Sequence, residues 1–144
     1  MELTHYVPKF FSREELFPPE TCLIEHSDTI WRLMDPRILW TIDALRKIYG
    51  PAIINTWHWT SANGFHYRGF RPANCKVGLT KTSQHFFGRA VDMTFVKEDV
   101  EYVRGDILDD HERDAYKYIT GIEIGVPWLH IDCRNYDGLL IFSP

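Results

Sequence analysis

The sequence predicts an α+β domain, a small and mainly antiparallel sheet flanked by helices. Three observations carry this: two segments with helix signals, five short β-patterned runs divided by turn residues, and a length of 144 residues with 44% hydrophobic and 15% aromatic content. A chain of that size and composition can bury a core of its own, so one domain is expected over residues 1–144. Residues 1–30 are expected to pack on it as an N-terminal strap.

The strap contains Phe10-Phe11-Ser12-Arg13-Glu14-Glu15, where Ser12 and Glu15 have the spacing of a capping box. A short helix or turn should start there, Pro18-Pro19 should close it, and Phe10, Phe11 and Phe17 should hold it against the core. Asp35-Pro36 supplies an N-cap and a proline suited to the first helical position. Ile38, Ile42, Leu45 and Tyr49 then recur at helical spacing until Gly50 stops the helix, and this stripe reads as core. Ala52 to Trp57 is an apolar, β-branched run that predicts a strand laid against that helix.

From Trp57 to Gly69 the chain is aromatic, irregular and punctuated by glycine, a composition common in loops that line binding sites. Trp57 itself is expected to pack on the sheet, and His58 and His66 to take surface or aromatic-cluster roles. Ala90 to Val96 alternates as a strand, with Asp92 and Thr94 opposite Val91, Met93 and Phe95. Asp106 to Ile119 predicts a second helix with Ile107, Leu108, Ala115, Tyr118 and Ile119 inward. Ile122-Glu123-Ile124 and Trp128 to Asp132 predict two strands joined by Gly125-Val126-Pro127, and Leu139 to Phe142 predicts the last.

The formal net charge of −4 speaks against a general nucleic-acid binder, whose footprint would be basic. The acids concentrate between Glu98 and Asp114, where eight face only Arg104 and Arg113, a local balance of −6 that reads as a solvated helix face. Cys22, Cys75 and Cys133 are an odd number without zinc-finger spacing, so reduced thiols of a cytoplasmic product are expected rather than a disulfide framework. The first residues lack the basic start and apolar core of a signal peptide, and no apolar run is long enough to span a bilayer. No Gly-x-Ser-x-Gly elbow, phosphate-binding glycine pattern or cysteine nucleophile context is present, so covalent catalysis has little support.

The chemistry concentrates in Ser83-Gln84-His85-Phe86-Phe87-Gly88-Arg89-Ala90-Val91-Asp92, which offers an imidazole and a carboxylate seven positions apart. A third ligand is available at His130, inside Trp128-Leu129-His130-Ile131-Asp132, where His130 and Asp132 share a strand face. Nitrogen and oxygen ligands of this kind suit Zn2+, and three protein ligands leave a fourth tetrahedral position for water, as in a catalytic site.

Ser83-x-His85-x-x-Gly88-x-Ala90-x-Asp92 followed by Trp128-x-His130-x-Asp132 resembles the LAS-type zinc peptidases, which include D-alanyl-D-alanine carboxypeptidases, phage L-alanyl-D-glutamate endolysins and the hedgehog signalling domain. Gly69-Phe70-Arg71-Pro72 is similar to that family's arginine motif, and the resemblance runs from about Asn55 to Arg134. It implies a hedgehog or D-Ala-D-Ala peptidase-like fold, with His85, Asp92 and His130 as metal ligands.

The implied activity is hydrolysis of peptidoglycan stem peptides by a monomeric phage or prophage enzyme, made in the cytoplasm and reaching the wall through a holin or a virion. Neither membrane insertion nor nucleic-acid binding is expected. Many relatives carry an acid three positions before the last histidine ligand, where this chain has Pro127. The general base is then expected at Glu123, the nearest upstream carboxylate, or at Asp132, which could instead orient the His130 imidazole.

Arg71 is expected to grip a substrate carboxylate, with Arg68 competing for that role. Ser83 and Gln84 could add hydrogen bonds beside the metal. The alternative is a zinc-binding module without catalysis that binds cell wall or a protein partner. A third reading takes the aromatic and basic loop from Trp57 to Arg71 as a single-strand nucleic-acid platform, and the acidic net charge counts against it.

Overall fold

The computed structural model describes residues 3–59, 64–77 and 82–144, so residues 60–63 of the expected aromatic loop lie outside the described residues. Two short helices, α1 (Arg13–Leu16) and α2 (Pro19–Ile24), and a 3-10 turn at Asp28–Leu33 precede the long helix α3 (Pro36–Tyr49). The strands are β1 (Ala52–Ile53), β2 (Ala90–Phe95), β3 (Gly121–Glu123), β4 (Leu129–Asp132) and β5 (Leu140–Phe142), with α4 (Val100–Asp109) between β2 and β3. They form one sheet in the order β1-β2-β4-β3-β5, antiparallel throughout except where β3 meets β5. The architecture is therefore mixed helix and sheet, with a mostly antiparallel five-stranded sheet. Among the described residues, no helix is long and apolar enough to cross a membrane.

Local chemistry explains the helix starts. The Ser12 amide donates to the Glu15 carboxylate at 2.8 Å, one half of a capping box. Pro18-Pro19 ends α1 but does not end the helical run, because Pro19 opens α2 at a position where its missing N–H leaves nothing unpaired. Asp35 caps α3 by accepting from the Arg37 amide at 2.9 Å, and its carboxylate also takes the Arg37 guanidinium at 2.9 and 2.7 Å. Gly50 ends α3 at φ 84.

Ile38, Ile42, Leu45 and Tyr49 are all buried, as their spacing requires, in a core that joins the strap to the sheet. Phe11 and Phe17 belong to that core, whereas Phe10 is 44% exposed beneath the Arg46 guanidinium. Leu16 takes the buried place instead.

Three expectations about these elements are corrected: the length of the strand after α3, the bounds of the second helix and the facing of Leu108. The strand after α3 is only two residues long, because the Asn55 amide donates to Glu15 O and the Thr56 amide to Phe65 O, which draws the backbone off the sheet toward the strap. The second helix begins at Val100, where Asp99 caps it by accepting from the Glu101 amide at 2.7 Å, and stops at Asp109. The acids after it oppose the helix dipole at a C-terminus, and only a short 3-10 turn at Asp114–Tyr116 follows. Leu108 faces outward on α4 while Val103, Arg104 and Ile107 are buried. Trp57 stacks on His66 at 4.0 Å between ring centres and meets Tyr67 edge-on at 4.9 Å.

Candidate metal centre

Strand register builds the centre. β2 sets Asp92 opposite His130 and Ala90 opposite Asp132 on β4. β4 in turn pairs Asp132 with Gly121 and Ile131 with Ile122 on β3, which carries Glu123 opposite His130. Parallel β5 places Phe142 beside Glu123 and Leu140 beside Gly121. Paired residues point to the same side of a sheet. One row on one face is therefore Asp92, His130, Glu123 and Phe142, and the next is Ala90, Asp132, Gly121 and Leu140.

His85 reaches this face from a 3-10 turn over Gln84–Phe87, ended by Gly88 in the left-handed region at φ 66. The Gly88 carbonyl accepts from the Asp35 amide at 2.8 Å, which ties the turn to the start of α3. On its other side the turn is held by the strap. His85 Nδ1 donates to Gly69 O at 2.8 Å, and the neighbouring Phe70 amide donates to Leu16 O at 2.9 Å. Gly69 lies so close to the Leu16 backbone that a Cβ there has no room. The N-terminal segment thus backs the loop that orients His85.

His85 Nε2 lies 3.3 Å from one Asp92 oxygen, and His130 Nδ1 lies 2.8 Å from the other. The ligand atoms of His85, Asp92 and His130 all fall within 4.8 Å of one another, and all three residues are buried. His85 Nδ1 faces a carbonyl and His130 Nε2 faces the Asp132 carboxylate at 3.0 Å. Both partners accept, so each of those nitrogens carries a proton, and the inward nitrogens can offer lone pairs. Two imidazole nitrogens and a carboxylate turned toward one point could hold a divalent metal ion.

Without a metal, a proton on His130 Nδ1 takes its place. Burial disfavours that charge, but hydrogen bonds to Asp132 and Asp92 outweigh it and raise the His130 pKa to about 9. Burial likewise works against ionised Asp92, yet the His85 charge and the His130 hydrogen bond hold its carboxyl well below the usual range.

The centre opens into a cavity of about 510 Å³ whose wall includes Arg71, Ser83, Gln84, Glu123 and Trp128. Arg71 Nε donates to Tyr67 O at 2.8 Å, while its terminal nitrogens lie 3.5 Å from Ser83 Oγ and 3.9 Å from Asp92. Tyr67 is held at φ 58, the one positive φ outside glycine among the described residues. Gln84 Oε1 is buried in the cavity wall without a partner among the described residues. Arg68 sandwiches its guanidinium against the Phe65 ring at 3.6 Å and the Trp128 ring at 5.5 Å. Another hollow, of about 550 Å³, lies between the strap and Trp57 and takes in His58. No group of metal-ligating side chains sits there among the described residues, so the chemistry belongs to the first cavity.

The two carboxylates expected near His130 fall on different sides of it. Glu123 Oε2 lies 4.0 Å from His130 Nδ1, the nitrogen that faces Asp92, and Glu123 lines the cavity. Its backbone carbonyl accepts from the buried Arg104, which also donates to Val126 O and Trp128 O and so fastens the β3–β4 turn. Asp132 is fully buried behind the imidazole, against Nε2, and has no place in the cavity wall. Arg134 grips it with bonds of 2.7 and 2.5 Å.

Burial opposes the Asp132 charge, but Arg134 and then His130 outweigh it and bring its pKa down to about 2. Pro127 lies in the turn before β4 and lines a different hollow, beside α4.

Sequence reasoning gave Gly121 and Phe142 no part in the site and read Arg104 within a solvated helix face, whereas Arg104 is buried. Phe142 sets its ring edge-on to His130 at 5.6 Å. A glycine at the head of a β-patterned run is the one local sign of close approach that could have drawn attention to Gly121. No family model, curated protein or solved structure matches this chain.

Proposed function

We propose that the chain is a zinc-dependent peptidase that hydrolyses peptidoglycan stem peptides, as a D-alanyl-D-alanine carboxypeptidase or an L-alanyl-D-glutamate type endopeptidase. The observation that carries this reading is the buried His85, Asp92 and His130 group at the base of a cavity that also holds the Glu123 carboxylate, 4.0 Å from His130 Nδ1. The resemblance of the motifs around those residues adds the substrate class, a hedgehog or D-Ala-D-Ala peptidase-like fold, and the role of a phage or prophage lytic enzyme.

His85 Nε2, Asp92 and His130 Nδ1 would hold the zinc, which when bound polarises a carbonyl and makes a water acidic enough to attack it at neutral pH. Glu123 is the general base. It takes the proton of the attacking water and returns it to the leaving amine, so the amide C–N bond breaks as the C–O bond forms. Asp132 faces the wrong imidazole nitrogen for that task and instead orients His130. Arg71 binds a substrate carboxylate, since burial disfavours its charge and, among the described residues, its one short hydrogen bond is to Tyr67 O. Ser83 and Gln84 line the approach, and the unpartnered Gln84 Oε1 can accept a substrate N–H.

Pro127 favours a second reading, a zinc-binding module without catalysis. One experiment separates the two: zinc-loaded protein is incubated with purified peptidoglycan and defined muropeptides, and the products are read by mass spectrometry beside Glu123→Gln. The peptidase yields new amine ends or free D-alanine. Glu123→Gln should keep its zinc and lose about 10²- to 10⁴-fold in rate. One equivalent of zinc with no product from any substrate would establish the binding module instead.

A further inference from the structure

Arg134 lines the cavity, and a cavity arginine invites assignment to substrate. Its hydrogen bonds point elsewhere. Nε donates to Asp132 Oδ1 at 2.7 Å and Nη2 to Asp132 Oδ2 at 2.5 Å, while the Arg134 backbone amide donates to Oδ1 at 3.2 Å. The guanidinium also lies over the Phe142 ring at 4.6 Å, and that ring packs edge-on against His130. We infer that Arg134, Asp132 and Gly121 form a relay that sets which nitrogen of His130 faces the metal. The inference rests on the metal-binding part of the proposed function and needs no catalysis.

Each Asp132 oxygen is filled. Oδ1 accepts twice from Arg134, and Oδ2 accepts from Arg134 and from His130 Nε2 at 3.0 Å. With three donors from Arg134 already turned to its two oxygens, Asp132 accepts from His130 Nε2, which leaves Nδ1 turned toward Asp92.

The carboxylate fits because its neighbours across the sheet are small. Ala90 pairs with it on β2 and Gly121 on β3. A Cβ at Gly121 would fall against the Asp132 carboxylate, 2.6 Å from Cγ. The backbone is pinned as well, by the Thr120 amide on Asp132 O at 2.9 Å and the Thr120 hydroxyl on Arg134 O at 2.6 Å. Arg134 is therefore a positioning residue: its fork holds Asp132, and Asp132 holds the ligand.

The test reads zinc affinity by competition with a chromophoric chelator, with circular dichroism confirming the fold of every variant. Arg134→Met should weaken zinc binding about 10- to 100-fold. Arg134→Lys keeps the charge but not the fork and should recover part of that loss. Asp132→Asn, whose amide can donate toward His130 Nε2 and favour the wrong tautomer, should weaken binding at least as much as Arg134→Met. A folded Arg134→Met that binds zinc like the wild type would overturn the inference. Should that variant fail to fold, wild-type affinity in Arg134→Lys and Asp132→Asn would overturn it equally. Loss of zinc affinity without any peptide hydrolysis in the wild type would leave the relay standing and remove only the peptidase reading.

Discussion

Replacing Gly88 by alanine tests how the ligand turn is held. Gly88 adopts φ 66 and ψ 25, three residues after His85, and donates its N–H back to Gln84 O and His85 O. Two costs follow from its position. A side chain in the left-handed region costs about 1 to 2 kcal/mol. The added Cβ would also collide with Leu33 O and lie 2.9 Å from Met34 Cα and 3.1 Å from Leu33 C.

All three atoms are backbone, and the segment is anchored where the Asp35 amide donates to Gly88 O at 2.8 Å, so relief requires moving the start of α3 or the turn. Overpacking of this kind costs about 1 to 3 kcal/mol. The sum is about 2 to 5 kcal/mol, or roughly 6 to 15 °C at about 3 °C per kcal/mol for a domain of this size. Gly125→Ala is the control. Gly125 has φ 78 and nothing within 4 Å of its would-be Cβ, so only the conformational cost applies. Thermal and urea unfolding of the two variants should show Gly88→Ala clearly the less stable, with weaker zinc binding because His85 moves. Equal stability of the two would refute the argument that the Leu33–Met34 backbone closes on the turn.

Two further predictions concern the centre itself. His85→Ala should abolish the zinc binding proposed for the centre, measured by elemental analysis as a fall from one equivalent to near zero. Its circular dichroism should stay native, because among the described residues the side chain makes one hydrogen bond to the fold outside the cluster, to Gly69 O. The metal-free protein should be destabilised from both ends of the pH scale. Asp132 is lowered to about 2 in the fold, below its unfolded value, so its contribution is present above pH ~4 and is lost as pH falls through about 2. That contribution is on the order of 2 kcal/mol. His130 is raised to about 9, so its contribution is present below pH ~6.5 and is lost as pH rises through about 9. Zinc bound at the proposed site would replace the His130 proton and should abolish the alkaline decline. Urea midpoints across pH with and without zinc measure this, and a flat metal-free profile from pH 6.5 to 9 would contradict it.

Helix α3 was legible because its signals lie within a few residues of one another: the Asp35 cap, the proline after it, the apolar stripe and Gly50. The same holds for β2, whose alternation puts Asp92 on one face and Val91 and Met93 on the other. The length of β1 was not legible, since Asn55 and Thr56 are drawn away by Glu15 and Phe65, partners about ten or more positions distant. Nor was the extent of α4, whose start is set by the cap at Asp99 and not by the apolar pattern further on.

Sequence alone pointed to the mixed helix and sheet class and to His85, Asp92 and His130 as a group that could hold a metal ion, because motif spacing and local periodicity need no knowledge of what packs where. The tertiary structure decided what each charge near that group can do. Glu123 and Asp132 both read as carboxylates close to His130, yet one meets the nitrogen that faces Asp92 and the other its opposite. That division follows from strand register. Gly121 opposite Asp132 leaves the space that admits a buried carboxylate behind the ring, and the same pairing carries Glu123 to the cavity side. Register is a long-range property, set by which strands pair and by the core beneath them, and no window of sequence around His130 contains it.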